Sequence, residues 1–352
     1  MTKKQIDGEE VIRLSSPNNI LPQNHPNLID QIRYYPKTFC EEMQDLELYG
    51  PQVSIFDKNN KLLTSVSHEW GKHPKDNWAI KEKFDIELKD ILETTIILAS
   101  TGAHNFYHFI VDLVPRIRLL KKFDKDIFNK NYPIVTNTIN TNFHKEYFKA
   151  FGINLNNCIT FPNKDNLGNP ILAEKFGFKF KNAILPSSPG VIGVISPKTI
   201  DFINEHIKPS KDFSKGEKIF LNRKGGTTRD LENLNEIENF LIEKGFTSIN
   251  ASDFSLQEQA SIFYNAKIIV SAHGSALTNI MYCKPDTTII EFFNTKYVIG
   301  SFHAMSNFKK LNYNCIIGNG EDWVIESRLI GLHENINTSL KNVKEVFKKL
   351  NI

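Results

Sequence analysis

Cysteine is scarce: Cys40, Cys158, Cys283 and Cys315 are the only four in 352 residues. They lie far apart with no C-x-x-C spacing and no histidine partners, which argues against a zinc site or a disulfide framework and for reduced thiols. Long apolar runs are missing too. No stretch approaches the ~20 apolar residues of a membrane span, and the opening residues 1–10 are charged where a signal peptide needs an apolar core. The expected location is therefore the cytoplasm. Neither sign of charge dominates: 43 basic against 40 acidic side chains leave a formal +3, too small and dispersed to imply nucleic-acid binding. There is no G-x-G-x-x-G turn after a strand and no G-x-x-x-x-G-K-[ST] loop, which removes the usual dinucleotide and P-loop readings. No internal repeat is visible.

What is present reads as a folded α/β protein. Hydrophobic residues make up 40% and charged residues 24% of the chain, ordinary for a globular protein. At ~150 residues per domain the length suggests two units. Residues 1–47 carry Pro17, Pro22, Pro26 and Pro36 and read as an irregular arm on the first lobe. Lobe one is expected over 48–195, with a hairpin over 53–66, a buried strand at 94–99, a helix over 105–123, a strand at 133–136 and a helix over 144–151. The punctuators of 182–190 and a connecting helix at 197–206 place the junction between about 185 and 214. Lobe two, 196–335, alternates strands at 218–222, 247–250, 268–271 and 287–293 with helices at 234–244, 257–265 and 275–281. That alternation predicts a parallel sheet covered on both faces. A basic helix at 340–350 fills the last segment, 336–352; its lysines form a solvated face or permit peripheral contact with a membrane.

Ligands in open α/β sheets bind beyond the carboxyl ends of the strands, and three loops there carry chemistry. In the first, an apolar strand ends in His273-Gly274-Ser275 and a helix starts at once. Unpaired amides at such a start attract anions, and Gly274 permits close approach of a phosphate; equally, the glycine makes a tight turn and His273 caps the helix. In the second, Arg223, Lys224 and Arg229 surround a Gly-Gly flexure. Arginine forks suit a diphosphate, although loop charges are commonly just solvated. In the third, His108 and Asp112 share a helix face in apolar surroundings. Burial would raise the acid's pKa and suit it to general-base work; the plain alternative is an Asp112–Arg116 structural pair.

In this order and at these separations the three loops resemble glycosyltransferase family 61, over about residues 52–293. The likeness rests on the aromatic-His pair followed by Asp112-x-x-Pro-Arg116, on Asn222-Arg223 with Arg229, Asn235 and Glu236, on Glu258-Gln259, on the element from His273 to Asn279, and on a strand carrying Glu291. Ser275 stands where alanine is more usual. The resemblance implies a GT-B fold of two facing Rossmann-like lobes and an inverting transfer from a nucleotide-sugar donor to an oligosaccharide or polysaccharide acceptor, lipid-linked or free. It implies no metal and no cofactor, and a base at Asp112 or His108. Donor contacts are expected from Arg223, Lys224, Arg229, His273, Gly274, Ser275, Asn279, Glu291 and Glu258, with Glu291 at the ribose and Glu258 equally readable as a helix cap. A composition heavy in Lys, Asn, Ile and Phe looks like an AT-rich bacterial coding bias, and with no membrane anchor or signal in the sequence a bacterial surface glycan such as a capsule is the expected product. The rival reading is a non-catalytic protein that binds a nucleotide or a phosphorylated ligand.

Overall fold

The computed structural model describes residues 2–21, 25–67, 73–83, 86–162, 175–223, 228–318 and 331–352. The chain is mixed α/β and divides into two compact units. The first comprises Met1–Val11 and Tyr34–Phe202, the second Ile12–Arg33 and Ile203–Ile352.

The opening segment differs from the expected irregular arm. It folds as Lys3–Asp7 (β1), Glu10–Arg13 (β2), Asn19–Leu21 (β3), Ile32–Tyr35 (β4) and Thr38–Tyr49 (β5). Pro17 and Pro36 fall between strands, where their missing N–H removes no ladder bond. Nor does the segment serve one unit: β1 and β5 enter the sheet of the first, while β3 joins the sheet of the second.

The first unit continues with Ser54–Phe56 (β6), Ala79–Glu82 (α1), Glu87–Ile97 (β7), Phe106–His108 (α2), Val114–Phe123 (α3), Ile134–Thr136 (β8), Asn142–Ala150 (α4), Cys158–Thr160 (β9), Phe176–Pro186 (β10) and the start of Pro197–His206 (α5). Its sheet runs β1-β5-β10-β7-β8-β9, with β6 also on β5. β10, β7, β8 and β9 are parallel, whereas β5 is antiparallel to β1, β6 and β10. The sheet is thus mixed, not the uniformly parallel one a Rossmann-like lobe implies. The hairpin at 53–66 shrinks to a single bridge, Phe56 to Leu62. β10 runs through residues read as a junction. Phe178 and Phe180, alternating with Lys179 and Lys181, turn inward onto Leu46, Leu48, Ile97 and Val135, the period-two pattern of a half-buried strand.

The second unit follows with Lys218–Leu221 (β11), Leu234–Glu243 (α6), Thr247–Ile249 (β12), Leu256–Asn265 (α7), Ile268–Ala272 (β13), Thr288–Phe293 (β14), Ser301–Lys309 (α8), Asn312–Ile317 (β15) and Leu340–Leu350 (α9). Its sheet is β12-β11-β13-β14-β15-β3, parallel throughout. Leaving β3 aside, this is the doubly wound order 2-1-3-4-5, whose direction reverses between the first and third strands, here β11 and β13. The segment Ser275–Tyr282 is a 3-10 helix rather than an α-helix. Helix α9 belongs to this unit. Val343, Val346 and Phe347 are buried with Leu231, Phe246 and Ile316, so its apolar face is occupied by the core and only its lysine face remains for a membrane. Among the described residues no helix is long and apolar enough to cross one.

Candidate active site

Each unit presents a cluster at the carboxyl ends of its parallel strands. In the first, the chain leaves β7 and enters α2, capped by Asn105, whose side chain accepts from the Tyr107 N–H. A π-helical turn, Phe109–Leu113, separates α2 from α3; such turns recur at functional sites because the extra residue re-aims side chains. Here Phe109 wedges among Phe143, His144, Tyr147 and Phe148 at 5.0–5.7 Å between ring centroids. His144 ties the segment down through Nε2 to the Ala103 carbonyl, 2.9 Å.

The turn leaves Asp112 3% exposed with both oxygens engaged. Oδ2 stands 2.7 Å from His108 Nδ1, and Oδ1 accepts the Gly193 N–H at 2.8 Å. Burial pushes this carboxyl above its ordinary range, while His108 and the Gly193 amide act to hold it down. Arg116 is not its hydrogen-bonding partner: Nη2 donates to the Val66 carbonyl, 3.2 Å, and burial lowers the guanidinium to about 10. Gly193 sits at φ +78, with its carbonyl accepting from Tyr107 Oη at 2.7 Å. Its backbone therefore clamps the dyad from one side. His108 is the accessible member, 20% exposed at its side chain against 4% for Asp112. With Asp112 ionised the imidazole donates from Nδ1, which makes Nε2 the basic nitrogen of the neutral ring.

In the second unit the loops after β11 and β13 meet at the point where the strand order reverses. Arg223 lies across the β13 turn, donating from Nη1 to the His273 carbonyl and from Nη2 to the Thr228 carbonyl, each at 3.0 Å. Asp230 stands 3.6 Å from its Nε. A Cβ added at Gly274 would stand 1.8 Å from Arg223 Nη1, so the glycine is required for close approach; its own φ of 178 is extended backbone. Arg229 occupies the left-handed region at φ +59, a strain of roughly 1 kcal/mol for a side chain of this kind. It donates to the Leu332 carbonyl at 2.7 Å and lies 5.5 Å over the Tyr297 ring. Burial and the neighbouring Arg229 lower the Arg223 pKa.

His273 is fixed from behind. Nδ1 is 2.5 Å from Glu291 Oε1, and Glu291 Oε2 accepts from Tyr313 Oη. Phe293, Tyr297 and Phe302 surround the imidazole at 5.1–5.5 Å.

The expected donor residues separate on this geometry. Arg223, Arg229, His273, Gly274 and Ser275 come together, and Lys224 lies outside the described residues. Glu291 is 0% exposed with both oxygens taken, so in this structure it anchors His273. Asn279 is buried and donates to Gln259 Oε1 at 2.9 Å, tying the 3-10 helix to α7. Glu258 closes a capping box with Ser255 and is a helix cap. Tyr313, Tyr297 and Gly193 belong to the two clusters but sit in no motif, whereas Asp230 closes the arginine loop that opens at Asn222.

Residues 106–290, just over half of the chain, match the family model described as Glycosyltransferase 61. A beta-1,2-xylosyltransferase of Oryza sativa subsp. japonica is 31% identical over 62 residues, 18% of this chain and 12% of the rice protein. A beta-1,2-xylosyltransferase of Arabidopsis thaliana is 28% identical over 78 residues, 22% of this chain and 15% of the plant protein. The chain thus covers a small part of either relative's length.

Proposed function

The chain belongs to the glycosyltransferase 61 family, and from that premise we propose that it transfers a sugar from a nucleotide-sugar donor to a hydroxyl of a glycan acceptor, in one displacement with inversion and without a metal. The observation that carries the reading is the cluster at the reversal point of the second sheet, where Arg223 lies against Gly274 and His273 is pinned by a buried glutamate. Arg223, Arg229, His273 and the amides at Ser275 are suited to a diphosphate: planar guanidinium forks, an imidazole held in one orientation and helix-start amides are arranged before the ligand arrives. We take the fold as GT-B, a reading supported by two separate α/β units, one of them doubly wound.

The acceptor proton goes to His108 in this reading. Asp112, buried and doubly hydrogen-bonded, orients the ring and does not itself reach a substrate. His108 Nε2 takes the proton as the acceptor oxygen bonds to the anomeric carbon. The bond from that carbon to the phosphate oxygen breaks, and its electron pair leaves with the nucleoside diphosphate. The relatives' names make a pentose donor the first to try, and a surface glycan is the product class that the sequence suggests. A protein that only binds a nucleotide has no use for the His108–Asp112 pair.

The test is a panel of UDP-, GDP- and CMP-sugars with EDTA present, read by thermal stabilisation and by slow release of free nucleotide. Stabilisation by one nucleotide class, lost in Arg223→Ala, is expected. If no nucleotide or nucleotide sugar binds, the donor assignment is wrong.

A further inference from the structure

A carboxylate buried away from water needs donors on both oxygens, and Glu291 finds its two in different parts of the second unit. Oε1 stands 2.5 Å from His273 Nδ1, and among the described residues His273 is its one ion-pair partner. Oε2 accepts from Tyr313 Oη. In the parallel register of β14 and β15, Ile289 pairs with Tyr313 and Glu291 with Cys315, so the tyrosine side chain reaches along the strands by one pair to meet the carboxylate. Glu291 is 0% exposed and Tyr313 2%, so neither has solvent as an alternative partner. The tyrosine is backed in turn by His303 on α8, whose ring packs at 5.3 Å between centroids and whose Nε2 faces the Ser15 carbonyl at 2.7 Å.

The direction of these hydrogen bonds decides what His273 offers a ligand. Burial and the charge of Glu291 push the Tyr313 hydroxyl well above its ordinary range, so it keeps its proton and donates. With Oε2 filled in this way, Oε1 is the oxygen left to accept from Nδ1. Hydrogen on Nδ1 has a consequence at the other ring nitrogen. Nε2 then carries a hydrogen only in the imidazolium; in the neutral ring it is an acceptor and would turn a lone pair towards a phosphate oxygen. A charged ring N–H is also the stronger donor to phosphate.

We propose that Tyr313 is a positioning residue for the diphosphate site: by occupying Glu291 Oε2 it fixes hydrogen on His273 Nδ1, so that the ring meets a diphosphate oxygen through Nε2 as an imidazolium. The proposal rests on the donor reading of His273 for its ligand, whereas the hydrogen placement in the free protein stands without it. Tyr313 touches neither ligand nor reacting atoms; it acts through Glu291.

The test uses the full chain with ¹⁵N-labelled histidine. In the free protein the His273 signals are expected to show hydrogen on Nδ1, and with the stabilising nucleotide sugar bound they are expected to show hydrogen on both nitrogens. Hydrogen on Nε2 with a bare Nδ1, in either state, would overturn the proposal without recourse to any variant. Tyr313→Phe removes one oxygen and keeps the ring. It is expected to move the shared hydrogen from Nδ1 to the carboxyl, leaving a neutral ring with hydrogen on Nε2 alone, and to weaken nucleotide-sugar binding by about tenfold. Weaker binding with an unmoved His273 pattern would make the tyrosine a merely structural residue, and unchanged binding would likewise end its role; both leave the donor reading intact. If no nucleotide sugar binds the unaltered protein, the donor reading falls and this proposal falls with it.

Discussion

Arg223 and Gly274 are in contact across the turn that follows β13, so close that even one added methyl group would stand 1.8 Å from the guanidinium Nη1. The pair explains why a glycine is needed at a position whose backbone angles any residue could adopt. Gly274→Ala should push the flexible end of Arg223 aside while leaving the strand in place. Nucleotide affinity is expected to fall by about tenfold to a hundredfold, equivalent to ~1.4–2.7 kcal/mol, with the thermal midpoint little changed. Titration calorimetry with the stabilising nucleotide checks this, and unchanged affinity would separate Arg223 from the donor.

Asp112→Asn tests which member of the dyad takes the proton. An amide that keeps accepting from Gly193 must turn its NH2 toward His108 Nδ1, which forces the ring into the tautomer with hydrogen on Nε2. Turnover is expected to fall by roughly 10²–10⁴-fold, by analogy with the same tautomer reversal in Ser-His-Asp enzymes, with donor binding retained. A variant of near-normal turnover would return the base to some other group.

Glu291→Gln reports on orientation. A buried amide that turns its NH2 toward His273 likewise reverses that ring's tautomer, visible in its ¹⁵N shifts. Nucleotides with and without ribose hydroxyls are expected to change in affinity by the same factor, because Glu291 touches the ring. A loss confined to nucleotides bearing the hydroxyls would restore the ribose contact.

His303 makes stability depend on pH. It lies on the buried face of α8, with Nε2 facing the Ser15 carbonyl at 2.7 Å, and burial lowers it from 6.5 to about 4. The unfolded chain takes up a proton below pH 6.5, and the folded one resists until about pH 4. The stability present above pH 6.5 is therefore lost progressively as pH falls, by up to roughly 3 kcal/mol near pH 4. Urea unfolding between pH 7.5 and 4.5 measures the slope. His303→Asn should flatten it, and an equal slope in both proteins would assign the dependence elsewhere.

Glu258→Ala separates a cap from a ligand contact. Its carboxylate accepts from the Ser255 N–H and hydroxyl at 2.9 and 2.8 Å, so the expected result is a lower thermal midpoint at unchanged nucleotide affinity. Weakened binding without loss of stability would move Glu258 to the donor site.

Much of the second unit was legible from residue pattern. Ile268–Ala272 and Thr288–Phe293 are mainly apolar runs of strand length, interrupted only by Ser271 and by Glu291, and the helices between them show the helical period, so element type and order follow from local chemistry. The first unit was less so. Thr38–Tyr49 mixes charge with apolar residues because part of it faces solvent, and four prolines nearby suggested irregularity although Pro17 and Pro36 merely separate strands. The π-turn at Phe109–Leu113 has no local signature, since the aromatic cluster that wedges it comes from α4.

By itself the sequence determined the α/β class, the alternation of the second unit, and the presence of His108, Asp112, Arg223, Arg229 and His273 just beyond strand ends, because periodicity and strand-end position are local properties. Only the tertiary structure decided what each of these groups does. Glu291 became a buried anchor, Glu258 a cap and Asn279 a tie to α7. Tyr313 and Gly193 became partners of the carboxylates Glu291 and Asp112, which hold the two histidines, because burial and hydrogen-bond partnership are set by chain segments that meet only after folding.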